Sequence, residues 1–121
     1  MERLFAEGFT VDIAGTFRFD QLMVDQFYHE HAGRTYYENL SRFMLSAPCL
    51  GMVLERDFAV ETLRRMMGPA RIDLREPGQI RYEFGDGADT ARNCIHGSDS
   101  PESALLEVDM LSAFLHIRRY V

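Results

Sequence analysis

Three glycines and one Ser-Pro pair cut this chain into short pieces, and their spacing constrains the fold more than any other feature. Gly8 stands where a helix over residues 1–7 would end, the position at which a left-handed residue closes a helix. Gly33 and Gly68 follow two more helical stretches, residues 20–31 and 57–67. Ser100 followed by Pro101 opens a last helix, with a serine cap and proline at the first helical position. No apolar run between these marks approaches the ~20 residues of a membrane-spanning helix, so no membrane partner is expected. At 121 residues the chain is read as one domain with a single packed core, residues 1–121.

Periodicity fills in the pieces. Residues 9–17 alternate apolar with small or polar side chains and read as a strand. Asp20 caps the helix that follows, where Met23, Phe27 and His31 recur four apart. Residues 36–45 form a short helix, and the apolar run 48–54 reads as a buried strand. The helix over 57–67 is expected to bury Ala59, Leu63 and either Met66 or Met67. From Pro69 to Arg92, three glycines, two prolines and many charges indicate a long ordered or functional loop with at most one helical turn. Residues 93–95 are a short strand candidate, and Ala104, Leu105, Val108 and Leu111 supply the apolar stripe of the last helix. This order indicates an α+β fold whose antiparallel strands are covered by helices.

Charge narrows the partners. The chain carries a formal charge of −6, which argues against nucleic acid, because phosphate backbones require basic surface. Every one of the 13 basic residues is arginine, and six of them (Arg64, Arg65, Arg71, Arg75, Arg81, Arg92) fall between positions 64 and 92. A local cluster in an acidic chain suits a small polyanion, since arginine grips phosphate oxygens with a planar, permanently charged fork. The alternative is a solvated face of intramolecular ion pairs. Cys49 and Cys94 lack metal or redox spacing and fit a reduced chain. With no basic-then-apolar signal at the start, a cytoplasmic location is expected.

Chemistry concentrates in residues 93–100. His96 lies at the end of the candidate strand, four residues before the Ser100 cap, where a helix start favours a bound anion. An imidazole with an ordinary pKa of about 6.5 is largely unprotonated at neutral pH and can act as a nucleophile. A phosphohistidine divides one difficult transfer into two easier ones. Glu107, seven residues after Ser100, shares that helix face and could orient the ring. The bland alternative is a surface histidine in a polar loop. Other constellations are weaker: His29 and His31 face different directions on a helix, and no metal ligand set is expected. There is no P-loop and no GxGxxG. Ser98, His96 and Asp99 sit in one turn and cannot form a nucleophile–base–orienter chain.

The segment Asn93-x-x-His96-Gly97-Ser98-Asp99-Ser100 resembles the active-site signature of nucleoside diphosphate kinases. The resemblance continues through Gly8-Phe9, Tyr28, Arg34-Thr35-Tyr36-Tyr37, Ser46-Ala47-Pro48, Glu55, Arg64, Gly68, Pro77-Gly78-Gln79-Ile80-Arg81 and Glu107. It implies a ferredoxin-like antiparallel sheet covered by helices. It also implies ping-pong transfer of the γ-phosphate of a nucleoside triphosphate to a nucleoside diphosphate through the δ nitrogen of His96. In the roles the resemblance implies, Arg64 and Arg81 hold phosphates, and Tyr28 lies near the transferred group. Tyr36 replaces the usual base-stacking phenylalanine with Leu40 beside it, Asn93 bonds the ribose, and Ser98 and Glu107 support His96. Magnesium would ride on the nucleotide phosphates, and a homo-oligomer, hexamer or tetramer, would be the assembly.

Departures from the family pattern supply a second reading. Met1 aligns inside the family's first helix, so the family's first strand, with its Lys-Pro-Asp stretch, is expected to be missing, and the chain contains no lysine. Ala70 replaces a phosphate-contacting threonine, Pro69 and Ile72 break the loop pattern, and beyond Leu105 only Glu107 clearly matches. The alternative to an active phosphotransferase is therefore a catalytically impaired member that binds nucleotide or serves assembly.

Overall fold

The computed structural model describes residues 1–87 and 94–119, without the side chains of 116–119. Two compact units make up the chain: Met1–Arg56 with Leu105–Val121, and Asp57–Ala104.

In the first unit, helix α1 (Glu2–Ala6) ends as its sequence demands. Gly8 adopts φ +86°, its N–H bonds Phe5 O at 3.0 Å, and the Phe9 N–H reaches Leu4 O at 3.1 Å. This reciprocal closure satisfies two helix-end carbonyls while Leu4 and Phe9 are both buried. Strand β1 (Thr10–Phe17) follows, then α2 (Gln21–Phe27), whose first turn is capped by Asp20 accepting from Met23 N–H at 2.9 Å. The helix predicted to reach His31 tightens instead at Tyr28, and His29–His31 form a 3₁₀ turn before Gly33 at φ +82°. Helix α3 (Tyr37–Leu45) leads into strand β2 (Cys49–Glu55).

The two strands pair antiparallel, from Thr10 opposite Glu55 to Phe17 opposite Cys49, with an irregularity between Val11 and Ile13. The strand expected to be buried is half-open instead, with Leu50 56% exposed while Gly51 beside it is buried. Gly15 and Gly51 are register partners and form a shallow trough. A Cβ at Gly51 would fall 2.5 Å from Leu111 Cδ1, and one at Gly15 would fall 3.1 Å from Leu115 Cδ2. Helix α6 (Pro101–Arg119) lies in that trough. Phe17, Phe19, Met23, Val24, Tyr28, Phe114 and Leu115 form the core. The edge-to-face packing of Phe17 on Phe19, at 4.9 Å between centroids, is typical of its aromatic contacts.

This seating corrects the expected stripe of α6. Leu105 is 74% exposed and Val108 is also open, while Leu111, Phe114 and Leu115 face the core. Leucines on several sides of the helix leave periodicity undecided, and the paired glycines choose the face.

In the second unit, α4 (Ala59–Met67) ends at Gly68, φ +81°. It buries Thr62 and Met67, whereas Ala59, Leu63 and Met66 are only half-buried. The loop after it holds more structure than expected: a 3₁₀ turn at Ile72–Leu74 and helix α5 (Ile80–Phe84). Of the strand expected at 93–95, Asn93 lies outside the described residues, and Cys94 and Ile95 are not in a strand, since Cys94 takes φ +68°, incompatible with extended pairing. The architecture is α+β, with a two-stranded antiparallel sheet among the described residues.

Candidate active site

Two arginines and the end of α4 hold the segment that carries His96. Arg81, on α5, is buried, and its guanidinium donates to Ile95 O twice, from Nη2 at 2.8 Å and Nε at 3.2 Å. Its Nη1 donates to Gly68 O at 3.1 Å, tying the segment to the exit of α4. Arg64, on the last turns of α4, donates to Gly97 O at 3.4 Å. The carbonyls on both sides of His96 are thus held by cations. Gly97 itself is buried against α4, where a Cβ would fall 2.7 Å from Met67 Sδ and 3.0 Å from Leu63 Cδ2. Only a glycine lets the backbone approach this closely, and the approach leaves the ring of His96 on the exposed side.

The segment ends in a helix start. Ser100 Oγ accepts from Ser103 N–H at 3.0 Å, and Ala104 N–H bonds Ser100 O at 2.9 Å, as the Ser-Pro pair predicts. Asp99 joins the site without a role expected from sequence. Its carboxyl is held below the usual value chiefly by a hydrogen bond from Ser103 and further by the charges of Arg64 and His96. An exposed carboxylate therefore lies within electrostatic reach of both the imidazole and Arg64. Its sequence signal is its membership of the signature segment, just before the Ser100 cap. Desolvation pushes the Cys94 thiol up, against the pull of the Arg81 and Arg75 charges.

The arginine cluster divides by environment. Arg71 makes an exposed ion pair with Asp73 at 2.9 Å, the bland outcome for a clustered arginine. Arg75 and Arg81 are buried among backbone carbonyls, and Arg64 is exposed. Of the remaining residues singled out from sequence, Ser98 is half-buried in the second unit. Tyr28, Tyr36 and Leu40 belong to the first unit, as does the part of α6 carrying the half-buried Glu107. Tyr28 is a core residue whose hydroxyl reaches Met44 Sδ at 3.8 Å. Tyr36 is 46% exposed, and its hydroxyl meets His31 Nδ1 at 2.5 Å. His29 Nδ1 turns instead to Gln26 O at 3.1 Å. Asn93 and Arg92 lie outside the described residues.

An exposed imidazole between two cation-held carbonyls, beside a capped helix start and an exposed arginine, can be approached by an anionic phosphate. Comparison with known proteins gives the family. The family model for nucleoside diphosphate kinase matches residues 1–114 and runs through both units. A nucleoside diphosphate kinase of Listeria monocytogenes serotype 4b is 38% identical over 118 residues, spanning 98% of this chain and 79% of that protein. The one from Aquifex aeolicus is 35% identical over 120 residues, 97% of this chain and 83% of that protein. A crystal structure of the Aquifex enzyme superposes with a TM-score of 0.84, covering 91% of this chain and 79% of the other. The structure of a halophilic nucleoside diphosphate kinase from Halobacterium salinarum in complex with CDP gives the same TM-score, 0.84, at 29% identity, covering 90% of this chain and 72% of the other. The fold is therefore the ferredoxin-like fold of those enzymes.

Proposed function

Because the chain belongs to the nucleoside diphosphate kinase family, we propose that His96 carries the phosphoryl group between a nucleoside triphosphate and a nucleoside diphosphate. The imidazole nitrogen Nδ1 forms a bond to the γ-phosphorus as the bond to the β–γ bridging oxygen breaks, and the first nucleoside diphosphate leaves with that oxygen. In the second half-reaction, a terminal β-phosphate oxygen of another nucleoside diphosphate attacks the phosphohistidine and releases the free ring. The reaction is an exchange of like bonds, so the protein's task is positioning and charge stabilisation.

The observation that carries this reading is the exposed ring of His96 between the Ile95 and Gly97 carbonyls held by Arg81 and Arg64. A nucleophile fixed at both neighbours loses little freedom on approach to the phosphorus. Arg64, exposed beside the ring, is the residue suited to take phosphate oxygens directly. Arg81 acts mainly by fixing the segment, with phosphate contact as its second role. Tyr28 and Ser98 complete the catalytic set, Glu107 orients the ring, and Asn93 holds the ribose. Tyr36 and Leu40 take the base. Magnesium arrives with the nucleotide phosphates as part of the substrate.

The same reading places the protein in the cytoplasm, acting on free nucleotides. Among the described residues no helix is long and apolar enough to cross a membrane. It also makes the protein a homo-oligomer, a hexamer or tetramer, for which the exposed Leu105 and Leu106 on α6 offer apolar surface.

The test is labelling. Incubation with γ-labelled ATP should leave an acid-labile, base-stable phosphate on the chain, transferable to added nucleoside diphosphate and abolished by His96→Ala. A folded protein that takes no label would leave the binding-module reading in its place.

A further inference from the structure

Arg75 is a buried cation with an unusual set of partners. Its guanidinium donates to four backbone carbonyls: Nη2 to Ala70 O at 2.8 Å, Nη1 to Asp86 O at 3.0 Å, Nε to Pro69 O at 3.3 Å, and Nη1 to Arg81 O at 3.4 Å. Residues 69–70 and 86 are the two ends of the excursion that contains α5. One side chain therefore closes that excursion like a clasp and holds Arg81's own carbonyl at its middle.

The neighbouring geometry fits this use. Gly68, Pro69 and Ala70 offer three successive carbonyls, the first taken by Arg81 and the next two by Arg75. The backbone of Gly85 comes close enough that a Cβ would fall 2.5 Å from Arg81 O and 2.9 Å from Arg75 Nη1. The excursion thus has a glycine where the clasp shuts. A lysine cannot substitute, because a single ammonium at one point cannot span carbonyls on both sides of a planar fork.

We propose that Arg75 is a positioning residue for phosphoryl transfer. It fixes the α5 excursion, Arg81 within it, and through Arg81 the Ile95 carbonyl beside His96. The proposal rests on the reading of His96 as the phosphoryl carrier. Arg75 touches no substrate and acts only through Arg81. A displacement on the order of 1 Å in a nucleophile's support can lower turnover roughly 10²-fold. Loss of the clasp should therefore appear in kcat more than in KM.

The experiment uses the full chain carrying Arg75→Ala, Arg75→Lys or Gly85→Ala, with kcat and KM for phosphate exchange and the imidazole NMR signals of His96 as readouts. Arg75→Ala should lower kcat by roughly 10- to 100-fold and shift the His96 signals. Millimolar guanidinium should restore both, methylammonium neither, and Arg75→Lys should resemble the alanine variant. Gly85→Ala, which leaves the arginine in place, should lower kcat in the same direction and provides the test if Arg75→Ala does not fold. If kcat and the His96 signals are unchanged in the folded variants, or guanidinium fails to restore them in a folded Arg75→Ala, Arg75 is not a positioning residue. If the unsubstituted chain takes no label from ATP but its His96 signals still follow Arg75 and guanidinium, the proposed reaction fails and the clasp stands.

Discussion

Arg81 grips the carbonyl of Ile95 with two N–H groups, Nη2 at 2.8 Å and Nε at 3.2 Å, from a position that is itself buried. The side chain cannot be removed without leaving that carbonyl and Gly68 O unpaired. A hydrogen bond from a charged donor contributes about 1.5–3 kcal/mol, and an orphaned buried acceptor costs about as much. Arg81→Ala should therefore destabilise the chain by on the order of 3 kcal/mol in urea denaturation, besides any loss of exchange activity. Arg81→Lys keeps the charge but not the fork, and should recover less than half of the lost stability. Full recovery by lysine would show that charge alone matters at this position.

Gly97 makes the second prediction. Its missing side chain is the space into which Met67 Sδ and Leu63 Cδ2 project, at 2.7 Å and 3.0 Å from an ideal Cβ. Met67 is fully buried and cannot swing into solvent, so Gly97→Ala must push the backbone away from α4. Overpacking of this kind costs about 1–3 kcal/mol. Because the adjoining residue is His96, activity should fall more steeply than stability, by roughly 10²-fold. Enzyme assay and thermal melting on the same sample check the pair. Activity that falls only in step with the folded fraction would refute the positioning argument.

Acid should act on the fold through two exposed carboxylates. Asp25 is held below its ordinary value by hydrogen bonds from Tyr37, 2.7 Å away, and Gln21, and Asp99 chiefly by Ser103. A depressed folded-state value means the unfolded chain binds the proton first as pH falls. Both groups therefore add stability above about pH 4 and lose it as pH drops through their lowered values. Asp25→Asn and Asp99→Asn should each flatten the acid limb of a stability–pH curve while leaving its slope near neutrality alone. Solvent exposure keeps both effects small. An acid limb that stays equally steep in both variants would assign it to other carboxylates.

Local backbone chemistry is legible in the sequence itself. Gly8, Gly33 and Gly68 all take the positive φ expected of helix stops, and Asp20 and Ser100 both cap. These features depend on a few adjacent residues. Leu105 and Val108 suit a buried stripe of α6 by spacing alone and yet are exposed, because the choice of face is made by Gly15 and Gly51, far earlier in the chain. Within the stretch expected as a strand, Cys94 takes a positive φ, a conformation no propensity for cysteine announces. Helix α5 is only five residues long, too short for periodicity to register among the surrounding glycines and prolines. At the site, His96, Arg64 and Arg81 are legible through their resemblance to the family signature, since a lone histidine in a polar loop carries little signal by itself. Arg75 stands out in the sequence only as one arginine among six, since burial by carbonyls leaves no mark in composition.

Phe58 offers the last prediction, away from the site. It precedes α4 with φ 54° and ψ 41°, and the residue is 77% exposed. A left-handed conformation costs a bulky residue roughly 1–2 kcal/mol, whereas asparagine visits it routinely. Little burial offsets that strain, since most of the ring faces solvent. Phe58→Asn should therefore raise stability by about 1 kcal/mol, read as a higher melting temperature, with exchange activity unchanged. Phe58→Ala separates strain from exposure: it removes the same ring but keeps a Cβ without a polar group to bond the local backbone, so it should gain nothing. If alanine stabilises as much as asparagine, the benefit comes from losing an exposed aromatic surface and the backbone argument is wrong.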